Sequence, residues 1–191
     1  NERAVLTYAQ LLYEVKRVAA ALGGLGVKKG DRITIYMPTS PEAITLMLAC
    51  VRIGAIHSVV FAGFGAKALS DRIAASGSRF VFTADVSYRK GKDFRLKEIV
   101  DEAVQSVEGS VEHVIMLRRN AANPVNPVSP VNDVPFQPGR DITWTDFLDR
   151  GAGQNGDCVW MEANEPAFIL ATSGTTAKPK LAIHTHGGYQ V

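Results

Sequence analysis

Arg32-Ile33-Thr34-Ile35-Tyr36-Met37, then Ser40-Pro41-Glu42 opening a run to Ile53 before Gly54, then Ile56-His57-Ser58-Val59-Val60-Phe61: this stretch decides the fold. The first and last pieces are short, β-branched and apolar, the pattern of strands, and the first alternates in polarity. Between them, Ser40 is placed to cap a helix, Pro41 suits its first position, and Glu42 puts an acid in its first turn. Gly54 supplies the stop. The near-continuous apolar character of residues 43–53 predicts a buried helix. Strand, helix and strand in this order form the unit that builds parallel sheets.

The pattern repeats outward in both directions. Upstream, Thr7 and Gln10 form a capping-box pair, with Leu6 and Leu11 placed as a hydrophobic staple. Leu11, Val15, Val18 and Leu22 recur at helical spacing, and Gly23 is the expected left-handed stop. Gly24-Leu25-Gly26 is no dinucleotide fingerprint, because it follows a helix and lacks the third glycine. Lys29-Gly30-Asp31 reads as a turn. Downstream come a loop at Ala62-Gly63-Phe64-Gly65, a helix over Ala66–Ser76 ending at Gly77, and a strand over Arg79–Thr83. A helix near Leu96–Val107 and a strand over His113–Leu117 follow. This alternation predicts an α/β fold with a largely parallel sheet flanked by helices. Between Arg119 and Asp141 it breaks: Pro124, Pro127, Pro130, Pro135 and Pro138 recur without period, as in an extended surface loop. Thr143–Leu148 reads as a short helix and residues 151–156 as a mobile loop.

The totals bound the function. The chain has 191 residues, 46% hydrophobic and 21% charged, an ordinary globular composition. A net charge of +2 argues for neither a nucleic-acid nor a membrane partner. The longest apolar segment, residues 43–56, is interrupted by Thr45 and Arg52 and is too short to span a bilayer. Cys50 and Cys158 lie far apart, so neither a disulfide framework nor a zinc site is indicated. No signal-peptide pattern opens the sequence, and a reducing, cytoplasmic setting is the expectation. The sequence begins at Asn1 and ends at Val191, so both ends are expected to be cuts in a longer protein.

The chemistry concentrates near the end. Phe168-Ile169-Leu170 reads as a buried strand and Leu181-Ala182-Ile183 as a second one. Between them run Ala171-Thr172-Ser173-Gly174-Thr175-Thr176-Ala177-Lys178-Pro179-Lys180. Small residues let backbone N–H groups converge on phosphate oxygens, and hydroxyls add donors. Lys178 and Lys180 bring charge, each lysine–phosphate pair at ~4 Å being worth roughly 4 kcal/mol at an effective dielectric of 20. By residue type this is a polyphosphate cradle, although a polar surface hairpin has the same composition. It is not a Walker A loop, since Pro179 follows Lys178 where Ser or Thr should open a helix. A second candidate is Tyr88-Arg89-Lys90-Gly91-Lys92, three cations just past a predicted strand end at Asp85, where open α/β sheets bind ligands. A solvated basic loop is the other reading of it. His184 and His186 are two apart on a predicted strand and would suit a metal if a third ligand joined them. No Gly-x-Ser-x-Gly elbow is present.

The Thr172–Lys180 motif resembles the phosphate loop of the AMP-forming acyl-CoA synthetase (adenylate-forming) superfamily, and His184-Thr185-His186-Gly187-Gly188-Tyr189 resembles its acetyl-CoA and propionyl-CoA synthetase branch. The likeness extends over nearly the whole chain. It implies that Thr172, Ser173, Gly174, Thr175, Thr176, Lys178 and Lys180 hold the ATP phosphates. Thr83-Ala84-Asp85 followed by Arg89-Lys90-Gly91-Lys92 is similar to the segment that holds the 3′-phosphate of coenzyme A. By that match Arg89 and Lys92 are phosphate contacts beside Lys90, and Gly91 permits close approach. Gly63, within Val59-Val60-Phe61-Ala62-Gly63-Phe64, would border the pantetheine route. Two positions depart from the pattern: Ala177 and Leu181 stand where the family has glycine. If position 177 is left-handed, alanine costs roughly 1–2 kcal/mol there.

The resemblance therefore implies that residues 1–191 are part of the large N-terminal AMP-binding domain of a short-chain acyl-CoA synthetase. Its substrates would be a small carboxylic acid such as acetate or propionate, MgATP and coenzyme A. The adenine, acyl and magnesium sites and the catalytic lysine would lie beyond residue 191, leaving no metal site here and no activity in the 191 residues alone. A non-catalytic nucleotide- or coenzyme A-binding α/β module is the alternative expectation.

Overall fold

The computed structural model describes residues 5–89, 92–107, 109–119, 134–172 and 180–190. In chain order the elements are α1 (Tyr8–Gly24), β1 (Arg32–Tyr36), α2 (Pro41–Ile53), β2 (Ile56–Val59), α3 (Ala66–Ser76), β3 (Phe80–Ala84), β4 (Val86–Arg89), β5 (Lys92–Arg95), α4 (Leu96–Gln105), β6 (His113–Leu117), β7 (Asp141–Thr143), α5 (Trp144–Asp149), β8 (Pro166–Thr172), β9 (Lys180–Thr185) and α6 (His186–Gln190).

The helix starts follow from local chemistry. Thr7 and Gln10 bond reciprocally in a capping box, and Ser40 Oγ accepts the Ala43 N–H ahead of Pro41. Gly54 and Gly77 end α2 and α3 in the left-handed conformation. The first helix departs from expectation. Gly23 lies inside α1, which runs on to Gly24, and the positive φ belongs to Gly26. Gly24 is needed for another reason: a Cβ there would sit 1.9 Å from the Arg150 carbonyl oxygen.

Seven strands form one sheet in the order β7-β6-β3-β1-β2-β8-β9, parallel throughout except for the antiparallel pair β8–β9. β4 and β5 form a separate antiparallel hairpin. Strand β1, expected to alternate in polarity, is buried on both faces; Thr34 is satisfied there by Ser78 at 2.8 Å. One apolar cluster packs α1, α2 and α5 against Ile33, Ile35, Phe80, Phe82 and Ile115. A second packs α3 and α4 against the opposite face through Tyr36, Val81 and Val114. Helices thus cover both faces, as parallel sheets require.

Three segments differ from the sequence reading. The described residues of the basic run after Asp85 lie on two strands, β4 and β5, that the sequence reading did not predict. Asp141–Thr143, beyond the proline-rich stretch, is an edge strand paired with β6; residues 120–133 of that stretch lie outside the described residues. β8 is half-exposed rather than buried, with Leu170 44% accessible. Among the described residues no helix is long and apolar enough to cross a membrane.

Candidate functional site

Parallel alignment puts the C-terminal ends of β6, β3, β1, β2 and β8 on one edge of the sheet. The chain turns from β1 to β2 through α2 on one face, then returns past β1 to β3 through α3 on the other. Such a reversal opens a crevice beyond the strand ends, the usual ligand position in open α/β sheets. Three sequence-predicted groups lie on this edge.

The first is the β8–β9 hairpin. β8 pairs with β2 at His57–Phe168 and Ser58–Ile169, whereas its pairing with β9 continues to Thr172–Lys180. The hairpin therefore overhangs the sheet edge, which explains the exposure of Leu170. Thr172 and Lys180 face each other at its tip, and Thr172 Oγ1 donates to the Lys180 carbonyl at 3.3 Å. Ser173, Gly174, Thr175, Thr176 and Lys178 lie outside the described residues, as does Ala177. Leu181, the other departure from the family pattern, sits within β9 opposite Ala171, a regular strand position that a side chain occupies without strain.

The second group is the β4–β5 hairpin. Arg89 pairs with Lys92 at its end, and Lys90 and Gly91 between them lie outside the described residues. Sequence reasoning placed the charges but missed what holds them. Asp85, 4% accessible, accepts the Val86 N–H at 2.7 Å and the Arg119 N–H at 2.9 Å on its Oδ1. Its own N–H donates to the Leu117 carbonyl, and its carbonyl accepts the Leu96 N–H. One residue thus ties together the ends of β3 and β6 and both ends of the hairpin. The Arg119 guanidinium lies 5.5 Å over the Tyr88 ring. Burial and the Asp93 and Asp85 carboxylates raise the Tyr88 phenol pKa, while Arg119 opposes them.

The third group is the turn after β2. Gly63 sits between Phe61 and Phe64, whose rings meet edge-on at 5.6 Å. Tyr36 Oη donates to the Phe64 carbonyl at 2.5 Å, and burial pushes this phenol up to about 12. Tyr36 therefore stays a neutral donor and pins the turn to the centre of the sheet.

The histidine pair does not share one strand face. His184 stacks on Phe168 at 4.6 Å, and Phe168 stacks on His57 at 5.5 Å. His186 has left the strand and opens α6, its N–H bonded to the Glu165 carbonyl. Among the described residues no group of three or more His, Cys, Asp or Glu side chains could hold a metal. His57 and His186 line an apolar groove of about 360 Å³ with Met47, Leu48, Phe168 and Tyr189. Burial drives the His57 pKa down to about 4, so a ring titrating near 4 by NMR is the expected result. Because the unfolded value is about 6.5, His57 favours unfolding progressively as pH falls from there toward 4. A measured value near 6.5 would contradict its burial.

Comparison with known proteins assigns the chain to a family. Residues 1–190 match the protein family described as AMP-binding enzyme. The chain is 49% identical over 193 residues to the 3-hydroxypropionyl-coenzyme A synthetase of Sulfurisphaera tokodaii, covering 100% of this chain and 27% of that protein. It is 50% identical over 188 residues to the acetyl-coenzyme A synthetase of Novosphingobium aromaticivorans, covering 97% and 27% respectively. Against the acetyl-coenzyme A synthetase of Streptomyces coelicolor it is 49% identical over 184 residues, covering 96% and 26%. The chain thus spans about a quarter of the length of these curated relatives. A family match over almost every residue, on a parallel sheet whose carboxyl edge carries two hairpins ending in basic residues, means that the chain belongs to the AMP-binding enzyme family.

Proposed function

We propose that this chain is part of the N-terminal domain of a short-chain acyl-CoA synthetase, in which the β8–β9 hairpin holds the ATP phosphates and the β4–β5 hairpin holds a phosphate of coenzyme A. The observation that carries the reading is that both hairpins spring from the carboxyl edge of one sheet, β4 directly after β3 and β9 from the end of β8. The relatives' names supply the substrate class: acetate or 3-hydroxypropionate joined to coenzyme A. In the first step a carboxylate oxygen attacks the α-phosphorus of ATP, and the bond to the bridging oxygen breaks to release pyrophosphate. The coenzyme A thiolate then attacks the acyl carbon, and AMP leaves.

Charge builds on the β- and γ-phosphates during the first step. Lys178, Lys180, the hydroxyls of Thr172, Ser173, Thr175 and Thr176 and the backbone N–H groups around Gly174 are donors suited to it. Fixed donors aimed at developing charge act without reorganisation at the moment of reaction. The described end of this hairpin suits the task, because its last pair, Thr172–Lys180, lies beyond the last residues of β8 paired to β2. Arg89, Lys90 and Lys92, with Gly91 between them, serve the second step by holding coenzyme A, and Gly63 borders the path of its pantetheine arm. Magnesium accompanies ATP in this chemistry. The described residues offer no acidic cluster for it, so no residue here is assigned to it.

The test is carboxylate-dependent exchange of pyrophosphate into ATP by the complete enzyme. Lys178→Met with Lys180→Met is expected to slow exchange by roughly 10²–10³-fold, the range for lost transition-state donors. Unchanged pyrophosphate formation would remove the loop from this role. Exchange supported by neither acetate, propionate nor 3-hydroxypropionate would remove the substrate class.

A further inference from the structure

The hairpin proposed to hold coenzyme A is two strands of four residues, and it lies outside the seven-stranded sheet. A free two-stranded hairpin is at best marginally stable in water. For a phosphate to find Arg89 and Lys92 in place, something must fix the hairpin's direction. Its residues 86–95 lack the apolar alternation that would anchor one face by burial. Val86 is buried at its base, whereas Tyr88 and Phe94 are each more than one-third accessible.

The fixing is done at the base, by Asp85, Arg119 and Tyr88. Asp85 follows β3 directly and is almost wholly buried. Its carboxylate grips the first hairpin residue, and its carbonyl grips Leu96, the first residue after the hairpin. The same Oδ1 also holds the backbone of Arg119, two residues past the end of β6. Arg119 then turns its guanidinium onto the ring of Tyr88, the residue preceding Arg89. The hairpin is thus held at both ends by one carboxylate-bearing residue and along its length by a cation over an aromatic face. Among the described residues Arg119 has no carboxylate partner in an ion pair, so the Tyr88 ring is its principal described side-chain contact.

We infer that Asp85, Arg119 and Tyr88 are positioning residues for coenzyme A: they form a clasp that aims the β4–β5 hairpin, and with it Arg89 and Lys92, at the coenzyme's phosphate. The inference rests on the proposed role of Arg89 and Lys92 and adds the residues through which that role is exercised. It separates the two half-reactions, since adenylation uses the other hairpin and does not need the clasp.

The experiment uses the complete enzyme and two thiol substrates, coenzyme A and dephospho-coenzyme A, which lacks the 3′-phosphate. KM for each is measured in thioester formation, alongside carboxylate-dependent ATP–pyrophosphate exchange. Arg119→Gln and Tyr88→Leu are expected to raise KM for coenzyme A by roughly five- to tenfold, the equivalent of one cation–aromatic contact. KM for dephospho-coenzyme A and the exchange rate should stay within about twofold of their starting values, a spread small against that contact. Tyr88→Phe keeps the ring and should restore the low KM. If the unaltered enzyme does not discriminate the two thiols, the phosphate role of the hairpin fails, and the clasp fails with it. If it does discriminate and Arg119→Gln keeps the same ratio, the clasp alone is overturned. Equal losses in exchange and in thioester formation would make the three residues merely structural, which also overturns the inference.

Discussion

Lys97→Met is expected to lower the unfolding free energy by about 3–5 kcal/mol, the usual cost of removing one partner from a buried ion pair. The Lys97 side chain is 1% accessible, and its Nζ lies 2.7 Å from Asp101 Oδ1 and 2.7 Å from Asp141 Oδ2. Arg140 closes the group, bonding Asp141 through Nε at 2.6 Å and Asp101 through Nη2. Two cations balance two carboxylates, and methionine, though close in shape, leaves both carboxylates to one arginine. The structural consequence is local. β7 contributes a ladder of just three residues, and this cluster fastens it to α4. Denaturant unfolding measures the loss, and a change under about 1 kcal/mol, the range of exposed pairs, would mean that the cluster holds nothing together. Removing Asp141 as well, in a Lys97→Met and Asp141→Leu double variant, should recover part of the stability, because no buried charge is then left unmatched.

The same cluster sets an acid limit. Burial works against ionisation of Asp141, yet hydrogen bonds from Arg140, the Gln137 N–H and Lys97 outweigh it and hold the carboxyl below its ordinary range. A depressed folded-state pKa stabilises above the unfolded value, about 3.9. That contribution disappears as pH falls through the folded value, so the edge strand is lost in acid rather than in base.

Phe82→Ala should cost about as much, roughly 3–5 kcal/mol for a large ring deleted from a close-packed core. Phe82 is fully buried and meets Phe147 at 5.2 Å and Trp144 at 6.2 Å, both nearly edge-on. Through those two rings α5 reaches the centre of the sheet, beyond its contacts with β6, β7 and α1, and a helix of six residues has no stability of its own. Loss of Phe82 should therefore loosen α5 as well as leave a cavity. Fluorescence can follow this directly: Trp160 is 95% accessible, so a red shift in emission on substitution reports Trp144. Phe82→Leu should cost much less. Equal losses for Ala and Leu would indicate a site that collapses freely, contrary to its packing.

Much of the architecture was legible because its signals are local. Thr7, Ser40, Gly54 and Gly77 act within a turn of their own helices, and each does in the structure what its residue type predicts. Gly23 misled because three glycines cluster at the helix end and the left-handed one is Gly26, while a glycine there can also be demanded by a neighbour. At Gly24 the Arg150 backbone requires the missing Cβ, a constraint from a residue far along the chain. β7 was invisible for lack of length, and the β4–β5 hairpin because its residues alternate charge and aromatics rather than burial. At the candidate site, residue types marked the two basic stretches whose described ends fall on hairpins. The Asp85 clasp could not be read, since it joins residues 85, 96 and 119 through backbone groups that every sequence has. Strand order was equally silent: nothing in β8 names β2 as its neighbour.

That neighbour relation governs when the site comes into being. The β8–β9 hairpin is a local structure that can form within its own twenty residues. It joins the sheet through His57–Phe168 and Ser58–Ile169, a closure across roughly a hundred residues, and such long-range parallel pairings are slow to form. β1, β2, β3 and β6 can assemble before this closure, and the β8–β9 hairpin docks with it. A nucleotide held by the docked arm would therefore bias the last step of folding and slow the first step of unfolding, so that substrate occupancy and the lifetime of the native state rise together.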